Sequence, residues 1–63
     1  MTATQFKIVI DKVGLSQEAA GLFFGRSQRT GQRWATGEYD VPDYVAKFLR
    51  LMIRYKLTPE DVK

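Results

Sequence analysis

Three glycines, Gly14, Gly25 and Gly37, divide the first 37 residues into three short stretches of helical periodicity. Glycine takes the left-handed conformation that closes a helix without a Cβ penalty, so each stretch is expected to stop at its glycine. Each also opens on a side chain able to accept from the free amides of a first turn. Thr2, with Gln5 three residues on, reads as a capping box that starts a first helix near Ala3. Ser16 can cap a second helix whose first turn holds Glu18, a favourable charge at the positive end of the helix dipole. Ser27 can cap a third that runs through Trp34. Helices this short are marginal in isolation, so they must be held by packing against one another.

The apolar residues say how. Phe6, Val9, Ile10 and Val13 recur at helical spacing and form one buried stripe, and Ala20, Phe23 and Phe24 are predicted to face inward from the second helix. Trp34 points to the core, and Phe6, Phe23, Phe24 and Phe48 read as core residues rather than a stacking platform for bases. A turn near residues 38–41 leads to Pro42, which suits the first turn of a fourth helix reaching about Tyr55. Val41, Val45, Phe48, Leu49 and Met52 give that helix a wide apolar face, and Asp40 and Asp43 beside Pro42 complement its dipole. Thr58-Pro59-Glu60-Asp61 looks like one more helix start, with at most one turn to follow. The expected fold is all-α, a compact four- to five-helix bundle forming a single domain over residues 1–63, without repeat or linker.

At 63 residues the chain has little room for a deep pocket. It contains no histidine and no cysteine, so the commonest general base, the usual metal ligands and all disulfide chemistry are missing. Catalysis, a metal, a cofactor and a small-molecule ligand are therefore not expected. No apolar run is long enough to span a bilayer and no signal-like segment opens the sequence, so a cytoplasmic protein is anticipated.

The net charge is +3, and its placement is more telling than its size. Residues 1–25 balance Lys7 and Lys12 against Asp11 and Glu18, and residues 38–63 carry five basic and five acidic groups. The excess therefore lies in Arg26, Arg29 and Arg33, within one short segment. Two short helices joined by a glycine turn, the second one cationic, suit reading of the DNA major groove, which admits one helix bearing long polar donors. Gln28, Arg29, Gln32 and Arg33 occupy the first two turns of that second helix, and arginine can bond guanine, or glutamine adenine, through two hydrogen bonds.

Gly14-Leu15-Ser16-Gln17, Ala20-Gly21, Phe24-Gly25, Ser27, Thr30, Arg33-Trp34 and Gly37 together resemble the phage-repressor-type (lambda-repressor-like, XRE-type) helix-turn-helix family. The likeness covers about residues 6–53, with the helix-turn-helix at about 16–35. It implies a bacterial or phage transcription regulator that binds double-stranded DNA. By that resemblance Gln28, Arg29 and Arg33 fall on base-reading positions, with Gln32 nearer the edge, and Gln17 contacts a phosphate. Arg26, Ser27 and Thr30 are placed with Gln17 as backbone contacts. Two residues depart from the pattern. Arg26 follows the turn glycine where the family has an apolar residue, and Gly31 stands mid-helix where it buries Val or Ile. A mid-helix glycine costs roughly 1 kcal/mol relative to alanine. Phe23 and Phe24 are expected to fill the space Gly31 leaves, so that Gly31→Val would overpack it.

A second reading is a protein-interaction module, such as an antitoxin or adaptor, that keeps the fold without reading DNA. Leu51, Ile53 and Tyr55 support it, since they exceed what one small core needs. Residues 41–55 could instead pair two copies into a homodimer spanning two half-sites. Lys47, Arg50 and Arg54 share a face of the same helix and read as a solvated cationic surface, with contact to the DNA phosphate backbone as the lesser alternative. An interfacial membrane role for residues 41–56 is disfavoured, because the core already needs their apolar face.

Overall fold

A computed structural model describes residues 1–62, which form four α-helices and a final 3₁₀ turn, with no strand among them. Helix α1, Ala3–Val13, opens on the expected capping box: Thr2 Oγ1 accepts from the Gln5 amide at 3.1 Å, and Gln5 Oε1 from the Thr2 amide at 3.0 Å. Helix α2, Gln17–Phe23, starts at Ser16, whose hydroxyl accepts from the Ala19 amide at 3.0 Å. Helix α3, Gln28–Thr36, starts at Ser27, whose hydroxyl accepts from the Thr30 amide at 3.1 Å. Helix α4 spans Asp43–Arg54. Pro42 is its N-cap, with extended backbone, rather than a residue of its first turn, so the helix begins one position later than the sequence suggests.

The helix ends carry the chain back onto the core. After α2, Gly25 takes φ 76°, and the amides of Gly25 and Arg26 donate to the carbonyls of Leu22 (3.0 Å) and Gly21 (2.8 Å). This satisfies carbonyls that the helix leaves free and turns the chain into α3. The same device ends α4 with a lysine where glycine is usual. Lys56 adopts φ 55° while its amide donates to Ile53 and that of Leu57 to Met52. Leu57 is thereby laid against the core. Thr58 then enters the 3₁₀ turn Pro59–Val62, where Asp61 accepts from the Thr58 amide at 2.8 Å.

Phe6, Val45, Leu49 and Met52 are the largest fully buried side chains, contributed by α1 and α4. Trp34 of α3 meets Phe6 edge to face at 5.8 Å between ring centroids, which joins the third helix to that core as expected. Ile10, Val13 and Ala20 are buried beside them, while Val9 packs at the margin. The phenylalanines at the α2 and α4 border depart from the sequence reading. Phe23 and Phe24 are only partly buried and Phe48 is 38% exposed. Their rings form a cluster with Tyr44 at centroid distances of 5.1 to 6.4 Å. No further layer among the described residues covers them.

Helices α2 and α3 cross backbone to backbone. A Cβ built on Gly31 would lie 1.9 Å from the Gln17 carbonyl oxygen and 2.7 Å from the Gly21 nitrogen. One built on Gly21 would lie 2.1 Å from the Ser27 carbonyl oxygen. The space at Gly31 is therefore taken by the main chain of α2, and not by Phe23 and Phe24 as the sequence suggested. An alanine fits there no better than a valine. No helix among the described residues is long and apolar enough to cross a membrane.

Candidate functional site

The face of α3 turned away from its neighbours follows from its period. Gly31, Trp34 and Ala35 are buried, which places Arg29, Arg33 and Thr36 on the opposite side with Gln28 and Gln32 flanking them. Gln28 and Arg29, at the start of the helix, are exposed, and Arg29 has no ion-pair partner among the described residues. Arg26 is also exposed, in the turn between the two helices.

Ser27 and Thr30 are occupied within the cap. Ser27 accepts the Thr30 amide, and the two hydroxyls lie 3.0 Å apart, one donating to the other. Their first task is to set the start of α3, and a contact to an outside group has to use the remaining hydroxyl capacity. Gln17 is partly buried at the start of α2, and its carbonyl is the atom against which Gly31 rests.

Two of the four residues read as base contacts are already engaged. Gln32 donates through Nε2 to Glu18 at 3.1 Å, a hydrogen bond that bridges α3 to α2. That bond first, and a backbone hydrogen bond second, hold the Glu18 carboxyl below the usual carboxylate range. Arg33 is more strongly committed. Its Nε lies 3.2 Å from a carboxylate oxygen of Glu38, its Nη1 donates to the Tyr39 hydroxyl, and its guanidinium sits over the Tyr39 ring at 5.0 Å. The Tyr39 amide also donates to the Arg33 carbonyl at 3.2 Å, folding the loop after Gly37 back along the helix. Arg33 is thus tied to its own loop, which revises its reading as a free base contact. Among the described residues, Arg26 and Arg29 are the cations of this segment with no carboxylate in an ion pair.

Sequence reasoning passed over Glu38 and Tyr39 and assigned Glu18 to the helix dipole alone. The signal for the first pair was a left-handed glycine at position 37, which reverses the chain and brings residues five and six positions on beside Arg33. No protein-family model matches the chain, and neither a curated protein nor a solved structure matches it significantly.

The arrangement offers hydrogen-bond donors of fixed position on one side of a short helix. Gln28 and Arg29 are free to meet an acceptor-rich partner, while Gln32 is aligned by Glu18. Those two carboxylates, Glu18 and Glu38, also border the face, so its cationic part is the N-terminal half of α3.

Proposed function

We propose that this chain binds double-stranded DNA in a sequence-specific way through α3, as a transcription regulator of the phage-repressor-like helix-turn-helix type. The observation that carries the reading is the exposed pair Gln28 and Arg29 at the start of a helix whose opposite face is locked, backbone to backbone, against α2. A helix laid in the major groove reads bases with its N-terminal side chains. Arg29 is assigned the principal base contact and Gln28 a second, with Gln32 at the edge in the orientation that Glu18 sets. Arg33 holds the loop at Glu38 and Tyr39. Arg26 and Gln17, with the exposed hydroxyl side of Ser27 and Thr30, are assigned to phosphates. These contacts give affinity and a salt dependence of about −0.9 per phosphate neutralised.

Selection from a random duplex library, followed by titration on the enriched and a scrambled duplex, tests the reading. Arg29→Ala is expected to narrow the gap between the two duplexes by about 1–3 kcal/mol. Gln17→Ala is expected to weaken both about equally. Failure to enrich any motif, or equal losses on both duplexes for Arg29→Ala, refutes the assignment. The reading as a partner-binding module is favoured by a separate observation, the solvent-exposed apolar stripe of α4.

A further inference from the structure

The outer side of α4 carries Tyr44, Phe48, Leu51 and Tyr55 at 50%, 38%, 49% and 63% exposure. Their spacing of four, three and four residues puts them on one helical stripe, about 16 Å long at 1.5 Å per residue. One border of this stripe is an apolar groove of about 600 Å³, where Leu22, Phe23, Phe24 and Val62 join Tyr44 and Phe48. The other border is cationic. Lys47, Arg50 and Arg54 surround Leu51 at a second depression of about 300 Å³, and none of the three has a carboxylate partner among the described residues. The guanidinium of Arg54 lies over the Tyr55 ring at 5.7 Å, which keeps charge and apolar surface side by side.

A stripe with this spacing receives another helix, and the charges decide which one. In an antiparallel pair of α4 helices related by a two-fold axis, Tyr44 faces Tyr55 and Phe48 faces Leu51 of the second copy. The same symmetry sets Lys47 of each copy beside Arg54 of the other, two like-charge contacts along the edge. Asp43, the one acidic residue of α4, stands at its first position, about 40° round the helix from Lys47 and beside the angles of Arg50 and Arg54, so each copy sets a single carboxylate against three cations along this edge. A second copy is therefore poorly matched, and the homodimer through residues 41–55 gives way to a heterologous partner. We infer that this surface docks an acidic amphipathic helix of another protein, its apolar side chains on Tyr44, Phe48, Leu51 and Tyr55 and its carboxylates along Lys47, Arg50 and Arg54. The inference does not rest on DNA reading, since it uses none of the α3 residues assigned above.

The probe is a fluorescein-labelled synthetic helix of about four turns, with leucines at alternating three- and four-residue spacing and glutamates along one flank. A twin carries lysine in place of each glutamate. Anisotropy titration with the full chain at low salt is expected to show binding of the acidic peptide in the micromolar range, at least about tenfold tighter than its lysine twin. The preference should fall as salt is raised, because the cationic border is exposed. Leu51→Glu should weaken the acidic peptide by about tenfold or more. Lys47→Glu combined with Arg54→Glu should invert the preference toward the lysine twin, a result that loss of folding cannot produce. Circular dichroism melting of each variant reports folding independently. Equal affinity for the twins, or no binding by either, overturns the inference. So does a concentration-dependent dimer of the chain alone that Leu51→Glu dissociates, or binding to vesicles containing anionic phospholipid without peptide binding.

Discussion

Replacing Gly31 by alanine sets two opposing effects against each other, and the geometry decides between them. On an exposed helix the change would gain roughly 1 kcal/mol of helix propensity. Here the new Cβ would stand 1.9 Å from the Gln17 carbonyl oxygen, about 1.5 Å short of ordinary contact, and 2.7 Å from the Gly21 nitrogen. Both atoms are main chain, so no rotamer change relieves the clash and α2 must move away from α3. Overpacking of this kind costs about 1–3 kcal/mol, and more where the neighbours cannot yield. With main chain on both sides the cost falls at the top of that range, about 3 kcal/mol, and less the propensity gain a net loss of about 2 kcal/mol is expected, from a total of roughly 3–9 kcal/mol for a chain of this length. At about 4–8 °C per kcal/mol, Tm should drop by roughly 8–16 °C. Thermal melting and urea titration by circular dichroism measure it, with Cm lowered and the m-value unchanged. Gly25→Ala is the control. It faces nothing within 4 Å and should cost only the left-handed backbone penalty of about 1–2 kcal/mol. A Gly31→Ala protein as stable as the parent, or more so, would refute the backbone-contact account.

Lys56→Gly should stabilise the chain by about 0.5–1 kcal/mol, because relief of the left-handed φ of 55° outweighs the entropy glycine adds to the unfolded state; a fall in Tm would count against it. The lowered Glu18 pKa means that its bond from Gln32 contributes stability above the ordinary carboxylate range, and that this is lost as pH falls through the folded value. Gln32→Ala should therefore differ from the parent at neutral pH and converge with it in acid, and a gap constant with pH would contradict the linkage. Glu38→Gln removes a carboxylate from the α3 face and loosens Arg33, so duplex binding should tighten and its salt slope steepen by up to about one. Weaker binding would show that the pair serves to orient Arg33 for the duplex. Folding stability should change by no more than about 1 kcal/mol, since Glu38 is exposed and Arg33 only partly buried.

Local chemistry made most of the architecture legible. Thr2, Ser16 and Ser27 cap the helices that their positions in the sequence announced, and Gly14, Gly25 and Gly37 all take positive φ where those helices stop. These are interactions within a few residues, for which spacing is sufficient information. What escaped reading depends on elements distant in sequence coming together. Gly31 looks like a propensity defect until α2 is laid across it. Phe48 has the spacing of a core residue, yet no element among the described residues covers it fully. At the candidate site Gln28 and Arg29 are exposed at the start of α3. The engagement of Arg33 depends on how the loop after Gly37 folds back, and that of Gln32 on a carboxylate fourteen positions away.

Since α2 and α3 touch through main-chain atoms at Gly21 and Gly31, and the side-chain hydrogen bond between them runs from Gln32 to Glu18, the side chains of Gln28 and Arg29 are not used in joining the two helices. Residues 28 and 29 are consequently exchangeable parts mounted on a fixed frame. Substitutions there should leave the assembly of the domain almost untouched, whereas a side chain added at either glycine would damage the frame whatever the outer residues are.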